Sequence, residues 1–323
     1  MDQNKLIIVL APLQGFTDVT YRNVFSDHFS GVDEAIAPFI STMGQKRLKP
    51  SRIKDVIPGN NKKLFTTPQI LGNIPEDFIF LADHLYEMGI KKINWNLGCP
   101  HSKIAKKMKG SGLLMYPEKI DAFLETVLPR ISNKLSVKVR LGRRSKHEIF
   151  DLLPILDKYP LDEIIIHPRT GIQMYEGISD HDAFETVLLN TRHKVVYNGD
   201  IKDLNSFNIV HEKFPGIKKI MIGRGILSNP FLAEIIKKRI SNQAPTQAPI
   251  ERLKDFHDDL FENYKKIFSG PGHLIGRMKG FWNYLGPGCF QEYKKPLKGI
   301  LKSNSIIKYL DKVEQIYHHD LSI

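Results

Sequence analysis

The sequence predicts an α/β protein, a (β/α)8 TIM barrel over residues 1–240 followed by a small C-terminal helical-bundle domain over residues 250–323. Three observations carry this expectation. Short apolar runs recur along the first part of the chain, and each is followed by a stretch of helical periodicity. Most of those runs end in a polar residue able to hydrogen-bond. After Arg239 the alternation stops, and a polar, Pro-containing stretch leads into purely helical sequence.

Strands are expected at Leu6–Ala11, Glu34–Ala37, Thr67–Leu71, Ile93–Asn96, Ser136–Arg140, Glu163–His167, Val195–Asn198 and Lys219–Ile222. Amphipathic stretches between them include Asp77–Met88, Glu118–Pro129, Glu148–Lys158, Ala183–Leu189 and Leu204–Lys213. The strands read as continuous apolar runs rather than alternating ones, the pattern of a sheet covered on both faces. Eight such units close into a barrel. The competing architecture is a doubly wound open sheet, which is weakened because no GxGxxG follows the first strand. Residues 241–249, Ser-Asn-Gln-Ala-Pro-Thr-Gln-Ala-Pro, read as a linker. Beyond it Leu253, Phe256, Leu260 and Tyr264 recur at three- and four-residue steps, and Gly286-Pro287-Gly288 reads as a helix break.

With 41% hydrophobic and 25% charged residues, the 323-residue chain has the balance of a soluble globular protein with a sizeable core. The apolar run Leu6–Leu10 is too short for a signal peptide or a membrane span. Two widely separated cysteines, Cys99 and Cys289, exclude a disulfide framework and fit a reducing cytoplasm. The formal net charge of +12 suits binding to polyanions through counterion release, although a lysine-rich solvated surface gives the same number. Charge alone names no substrate.

A barrel of this kind carries its chemistry at the C-terminal ends of its strands. Those ends hold Pro12 and Gln14, Gln69, Asn96 with Cys99, Lys138 with Arg140, His167 with Arg169, Asn198 with Asp200, and Gly223 with Arg224. The most informative segment is Asn94–Leu114, where a strand closing on Asn96 leads through Gly98-Cys99-Pro100 into a basic, Gly-punctuated loop. A cysteine there is placed for reactivity, since access and proton availability govern thiol chemistry. The alternative is a small buried hydrophobe.

At this point the sequence resembles the tRNA-dihydrouridine synthases. Asn96-Leu-Gly-Cys-Pro100 followed by Gly110-Ser-Gly-Leu-Leu114 is similar to that family's signature. Ala11-Pro-Leu-Gln-Gly-Phe-Thr-Asp18, Val137-Lys-Val-Arg-Leu-Gly142, Ile166-His-Pro-Arg-Thr170, Tyr175-Glu-Gly177, Asn198-Gly-Asp200 and Ile222-Gly-Arg-Gly225 follow in the family's order. Leu13 stands where Met is commoner, and Pro168 where Gly is more usual.

The resemblance implies an FMN-dependent cytoplasmic enzyme that reduces one uridine of tRNA to dihydrouridine, with NADPH or NADH as reductant. Pro12, Leu13, Gln69, Lys138 and His167 are then expected at the flavin ring. Asn198, Gly199, Asp200, Gly223 and Arg224 are expected at its phosphate, where glycines admit close backbone approach. Reduced flavin would deliver hydride from N5 to C6 of the uracil, and Cys99 would give the proton to C5 as general acid. Asn96 and His167 are expected to hold the uracil carbonyls, and Arg140 and Arg169 to contact the nucleotide, whose base must leave its stack.

The lysines at 103, 106, 107 and 109, and Lys265, Lys266, Arg277, Lys279, Lys294, Lys295, Lys298 and Lys302 in the helical part, suit folded RNA. Phe281 and Trp282, interleaved with them, read more readily as bundle core. A monomer without metal or membrane partner is expected. Two alternatives stand beside this reading: a barrel flavoenzyme of free pyrimidines resembling dihydroorotate dehydrogenase, and a catalytically silent tRNA-binding relative.

Overall fold

The computed structural model describes residues 6–42, 44, 48–244 and 249–318. Positions 245–248 of the expected linker and residues 319–323 of the expected C-terminal domain lie outside the described residues. No helix among the described residues is long and apolar enough to cross a membrane.

Ten short parallel strands form one sheet: β1 (Ile7–Leu10), β2 (Glu34–Ile36), β3 (Ile40–Ser41), β4 (Phe65–Thr67), β5 (Gln69–Leu71), β6 (Lys92–Leu97), β7 (Lys134–Gly142), β8 (Ile164–Thr170), β9 (Val195–Tyr197) and β10 (Lys219–Ile222). The helices are α1 (Val19–His28), α2 (Pro50–Ile53), α3 (Pro75–Glu87), α4 (Ser102–Ala105), α5 (Pro117–Val127), α6 (Glu148–Leu156), α7 (His181–Leu189), α8 (Leu204–Lys213), α9 (Arg224–Ser228), α10 (Leu232–Ile240), α11 (Ile250–Lys265), α12 (Pro271–Cys289), α13 (Lys294–Lys302) and α14 (Ile306–Tyr317).

The sheet order runs β3-β5-β6-β7-β8-β9-β10-β1-β2-β4. Strands β4 and β5 are one run interrupted only at Pro68, which has no N–H to give a ladder. Since β4 pairs with β2 and β5 with β6, the sheet returns on itself as a barrel. The expected strands thus all appear, with ends that differ by three residues at most and, for Lys219–Ile222, not at all.

The continuous apolar reading of the strands is corrected at β6, β7 and β8. Ile93, Trp95 and Leu97 point outward into the layer shared with the helices, as do Val137, Val139, Ile164 and Ile166. The alternate residues Asn94 and Asn96, Ser136, Lys138 and Arg140, and His167 and Arg169 fall on the other face. Only the remaining inner wall is apolar: Val9, Ala11, Ile36, Ile165, Val196 and Met221 form a separate small cluster. Bulky side chains hid the period because only part of the barrel's inside is polar.

The C-terminal helices do not stand apart from the barrel. One buried apolar cluster runs from the barrel's outer layer into Leu253, Phe256, Phe281, Trp282 and Ile316. On the α1–α11 seam, Phe256 meets Tyr21, Phe25 and Phe29 edge-on. Phe281 and Trp282 are buried core residues.

The expected break at Gly286-Pro287-Gly288 is also corrected, for α12 runs through it to Cys289. Pro287 sits in the last turn, where only one backbone hydrogen bond is forfeited. The glycines serve packing instead. A Cβ on Gly288 would lie 2.0 Å from the Ser228 carbonyl oxygen, so only glycine lets α12 press against α9.

Candidate active site

Two adjoining cavities open at the C-terminal end of the barrel and share Pro12, Leu13, Lys138, His167 and Tyr175 as walls. One extends over Asn198, Gly199, Asp200, Gly223 and Arg224. The other extends over Gln69, Asn96, Cys99 and Arg140. Every site residue predicted from the sequence, Arg169 excepted, therefore lines one continuous trough.

Register explains the gathering. Gln69 lies opposite Asn94, Asn96 opposite Lys138, and Arg140 opposite His167 across neighbouring strands. Their inward side chains form a directed hydrogen-bond chain. Asn96 Oδ1 accepts from the backbone N–H of Cys99 at 2.9 Å and of Gly98 at 3.1 Å. Asn96 Nδ2 donates to Gln69 Oε1 at 2.7 Å, and Gln69 Nε2 donates to Asn94 Oδ1 at 2.7 Å. Asn94 Nδ2 donates to Ser136 Oγ at 2.8 Å, which donates to the Ile93 carbonyl at 3.2 Å. Backbone groups at both ends fix the direction of every amide. Gln69 keeps one Nε2 hydrogen and one Oε1 lone pair for a ligand.

The Cys99 turn is pinned by this chain and by Ser111, whose N–H and hydroxyl both donate to the Cys99 carbonyl at 3.0 Å. Gly110 adopts a φ of 56°, and a Cβ there would lie 2.9 Å from Cys99 Cβ, so glycine is required beside the thiol. Burial pushes the Cys99 thiol above its ordinary range, against the opposing pull of the His101 N–H and the Arg140, Lys138 and Arg143 charges. It is therefore a proton-bearing thiol at neutral pH.

The Lys138 ammonium has no protein hydrogen-bond or ion-pair partner among the described residues. Burial and the Arg140 charge bring its ammonium down to about 7. His167 is held well below the usual imidazole range by burial and by the charges of Arg140, Lys138, Arg169 and Arg224. Its Nε2 lies 3.1 Å from Arg169 Nη1, an obligate donor, so Nε2 accepts and Nδ1 carries the proton.

Arg140 donates to the carbonyls of Gly98 at 3.0 Å and Thr170 at 2.8 Å, so its head ties the Cys99 turn to β8 while lining the trough. Burial lowers it only to about 10, and it stays charged. Arg169 is buried and lines neither cavity. Its donors go to His167, to the carbonyls of Glu176 at 3.1 Å and Gly177 at 2.7 Å, to Ser179 and to Asp200. It positions His167 and the loop after β8 rather than facing a nucleotide.

At the other end, Asp200 adopts a positive φ of 30°. Burial alone would raise its carboxyl, but Arg169 and Ser179 bring it below the usual carboxylate value. It also accepts from Arg224 at 3.3 Å. A Cβ on Gly199 would meet Ser179 Oγ at 2.5 Å and Tyr197 OH at 2.9 Å, and one on Gly223 would meet Ala11 Cβ at 3.1 Å. These glycines keep the backbone open beside the first, unpaired N–H groups of α9.

Sequence reasoning did not single out Tyr175 or Asn94 as site residues. The Tyr175 ring lies under the guanidinium groups of Arg224 at 4.6 Å and Arg140 at 5.4 Å, at the junction of the two cavities. Asn94 was visible only as a polar residue between Ile93 and Trp95. Among the described residues no cluster of three or more His, Cys, Asp or Glu could hold a metal.

Residues 9–281 match the family described as dihydrouridine synthase (Dus). The chain is 30% identical over 274 residues to a "Probable tRNA-dihydrouridine synthase" of Staphylococcus aureus (strain MRSA252), covering 80% of this chain and 78% of that protein. It is 27% identical over 321 residues to "tRNA-dihydrouridine synthase B" of Vibrio parahaemolyticus serotype O3:K6, covering 96% and 98%. Among solved structures, an old yellow enzyme homologue from Zymomonas mobilis superposes with a TM-score of 0.52 at 10% identity, over 76% of this chain and 91% of that one. That likeness concerns the fold alone. The family match begins in β1, ends in α12 and spans every strand that builds the trough, so the chain belongs to the dihydrouridine synthase family.

Proposed function

We propose that this protein is an FMN-dependent tRNA-dihydrouridine synthase that reduces a specific uridine of the tRNA D-loop region. The observation that carries this is the trough itself. A proton-bearing thiol, Cys99, and an unpartnered amine, Lys138, share one wall of a cavity that ends in a glycine cradle beside Arg224.

The residues present fit FMN. Gly199, Gly223 and Arg224 offer close backbone approach and a charge-assisted contact to its phosphate. Asp200 is already engaged by Arg169 and Arg224 and orients Arg224. Asn198 donates from Nδ2 to the Met221 carbonyl at 2.8 Å and thereby braces the loop before Gly199. Pro12 and Leu13 supply a flat apolar wall, and Gln69, Lys138 and His167 supply polar groups for the ring edge. Bound flavin in its reduced form supplies a hydride for C6 of the pyrimidine.

The chain's own groups do the rest. Lys138 places positive charge where the ring gains electrons. Cys99 holds the proton that C5 of the uracil needs. Asn96 sets the Cys99 turn, and Arg140 presents a charged face for the nucleotide. NADPH or NADH would restore the reduced cofactor.

Exposed lysines suit tRNA in two stretches of the chain. Lys103, Lys106 and Lys107 flank Cys99, and Lys294, Lys295, Lys298 and Lys302 lie on α13. None of the seven pairs with a carboxylate among the described residues. We assign residues from Ile250 onward the larger share of tRNA affinity, and expect a cytoplasmic monomer. A free pyrimidine would need no such basic surface, which disfavours the dihydroorotate-like reading.

The deciding experiment is single-turnover oxidation of the photoreduced protein by unmodified tRNA, with dihydrouridine mapped in the product. Released cofactor other than FMN, or no dihydrouridine, overturns the proposal.

A further inference from the structure

The loop between β8 and α7 stands at the rim of the trough and carries an unusual set of side chains. Ile172 is 59% exposed, Met174 46%, Tyr175 46% and Ile178 84%. Four large apolar residues exposed within one short turn of a protein carrying net charge +12 call for a partner.

The turn is held rigid. Thr170 N–H donates to Gln173 Oε1 at 2.7 Å, Met174 N–H to the Gly171 carbonyl at 3.2 Å, and Glu176 N–H to the Gln173 carbonyl at 2.8 Å. Arg169 takes the carbonyls of Glu176 and Gly177 from below. Met174 at φ 50° and Gly177 at φ 66° turn the chain, and no protein segment among the described residues covers the apolar tips. The conformation is thus set before any partner arrives.

The turn is continuous with the reaction site. Gly171 N–H donates to the Gly142 carbonyl at 2.8 Å and Ile172 N–H to the Arg143 carbonyl at 3.0 Å. Arg143 Nη1 in turn donates to the Pro100 carbonyl at 2.9 Å, beside Cys99. Tyr175 faces the cavity, while Arg144 on the adjoining loop is exposed and its guanidinium pairs with no carboxylate among the described residues.

We propose that Ile172, Met174 and Ile178 form an apolar wedge that occupies the gap in the RNA stack left when the target uracil enters the trough. This rests on the RNA-uridine reading above. A base at the floor of the trough must leave its neighbours, and unstacking is unfavourable unless something takes the place of the departed base. Apolar side chains at a basic rim provide that replacement, as inserted wedges do in other nucleic-acid complexes. Serines at the same tips would not, because a small hydroxyl covers little of the base faces left exposed.

The test compares parent protein with the triple variant Ile172→Ser, Met174→Ser, Ile178→Ser on two RNAs. One is intact tRNA. The other is the same RNA with abasic sites on both sides of the target uridine, so that no stack has to be opened. Reduction of the flavin by a nicotinamide donor and the flavin content check that the variant is folded and loaded. The expected result is a loss of at least roughly tenfold in single-turnover rate on intact tRNA, with parent and variant within about twofold on the abasic RNA.

An equal ratio on both RNAs, whether near one or large, overturns the wedge. So does a parent protein active on intact tRNA but inactive on the abasic RNA, since the neighbours would then be recognised rather than displaced. A change in sedimentation of the variant also overturns it, by assigning the turn to contact between copies of the chain. A parent protein that makes no dihydrouridine in intact tRNA refutes the underlying reading instead.

Discussion

Arg277 on α12 donates from Nη1 to Asp18 Oδ2 at 3.0 Å and to the Gly15 carbonyl at 2.6 Å. Asp18 also accepts from Tyr264 OH on α11 at 2.8 Å and caps α1 through Tyr21 N–H. Phe16, in the same loop, meets Phe281 and Tyr284 edge-on at 5.5 and 5.2 Å. The helical part thus grips the loop whose Pro12 and Leu13 wall the trough. Arg277, expected from the sequence to face RNA phosphates, is spent on this clasp. Arg277→Ala should lower stability by about 2 kcal/mol, the scale of a charged hydrogen bond. It should also weaken FMN binding several-fold without flattening the salt dependence of RNA binding. Flavin fluorescence titration beside an RNA titration at several salt concentrations checks both.

The lysines left free make a complementary prediction. Replacing Lys294, Lys298 and Lys302 together by Ala should weaken tRNA binding and flatten the plot of log affinity against log salt by roughly 0.7 to 0.9 for each phosphate no longer neutralised. Flavin reduction by a nicotinamide donor should not change. An unaltered slope would move the RNA surface to the lysines beside Cys99.

Cys99→Ala should keep flavin content and tRNA affinity but slow dihydrouridine formation by roughly a hundredfold or more, the scale expected when a general acid is removed. Cys289 is the control. Burial pushes it up to about 12, and its sulfur lies 3.3 Å from the Ser228 carbonyl on the α9–α12 seam, away from the trough. Cys289→Ala should leave the reaction rate near that of the parent.

Asn94→Leu tests the hydrogen-bond chain at a distance from the chemistry. It leaves the Gln69 amide without its acceptor, at a cost of about 1–3 kcal/mol. If the chain holds the Cys99 turn, the rate with saturating tRNA should fall while the affinity for tRNA stays. Thermal unfolding and single-turnover kinetics read the two effects separately.

Lys138 gives a pH signature. Its ammonium is disfavoured by the fold, with a value of about 7 against an ordinary 10.5. The fold therefore bears a cost below pH 7 that shrinks as pH rises toward 10.5, because over that interval the unfolded chain holds a proton that the native protein lacks. Lys138→Met removes the cost and the charge. In the flavin-free protein it should raise the melting temperature most at about pH 6 and progressively less toward about pH 10, while weakening the binding of reduced flavin. A melting difference independent of pH would contradict the buried-lysine reading.

The sequence by itself determined the barrel, nearly all of its strand positions and the identity of the residues at the strand ends. Those depend on local pattern: apolar runs spaced by helical periods, and polar residues where a strand gives way to a loop. The order of the motifs also carried the family. It could not decide which way an arginine points. Arg169 and Arg277 look like RNA ligands in sequence, yet both are absorbed by carbonyls and carboxylates far along the chain, Asp200 for one and Asp18 for the other. Nor could it show that Asn94, Gln69 and Asn96 form one directed chain, because their contact follows from parallel register between strands more than twenty residues apart. Gly286-Pro287-Gly288 marks the same boundary: local propensity favours a break, and close packing on Ser228 keeps the helix whole. Side-chain partners and helix continuity are decided by what tertiary packing brings within hydrogen-bonding or van der Waals distance, and local sequence carries no record of that.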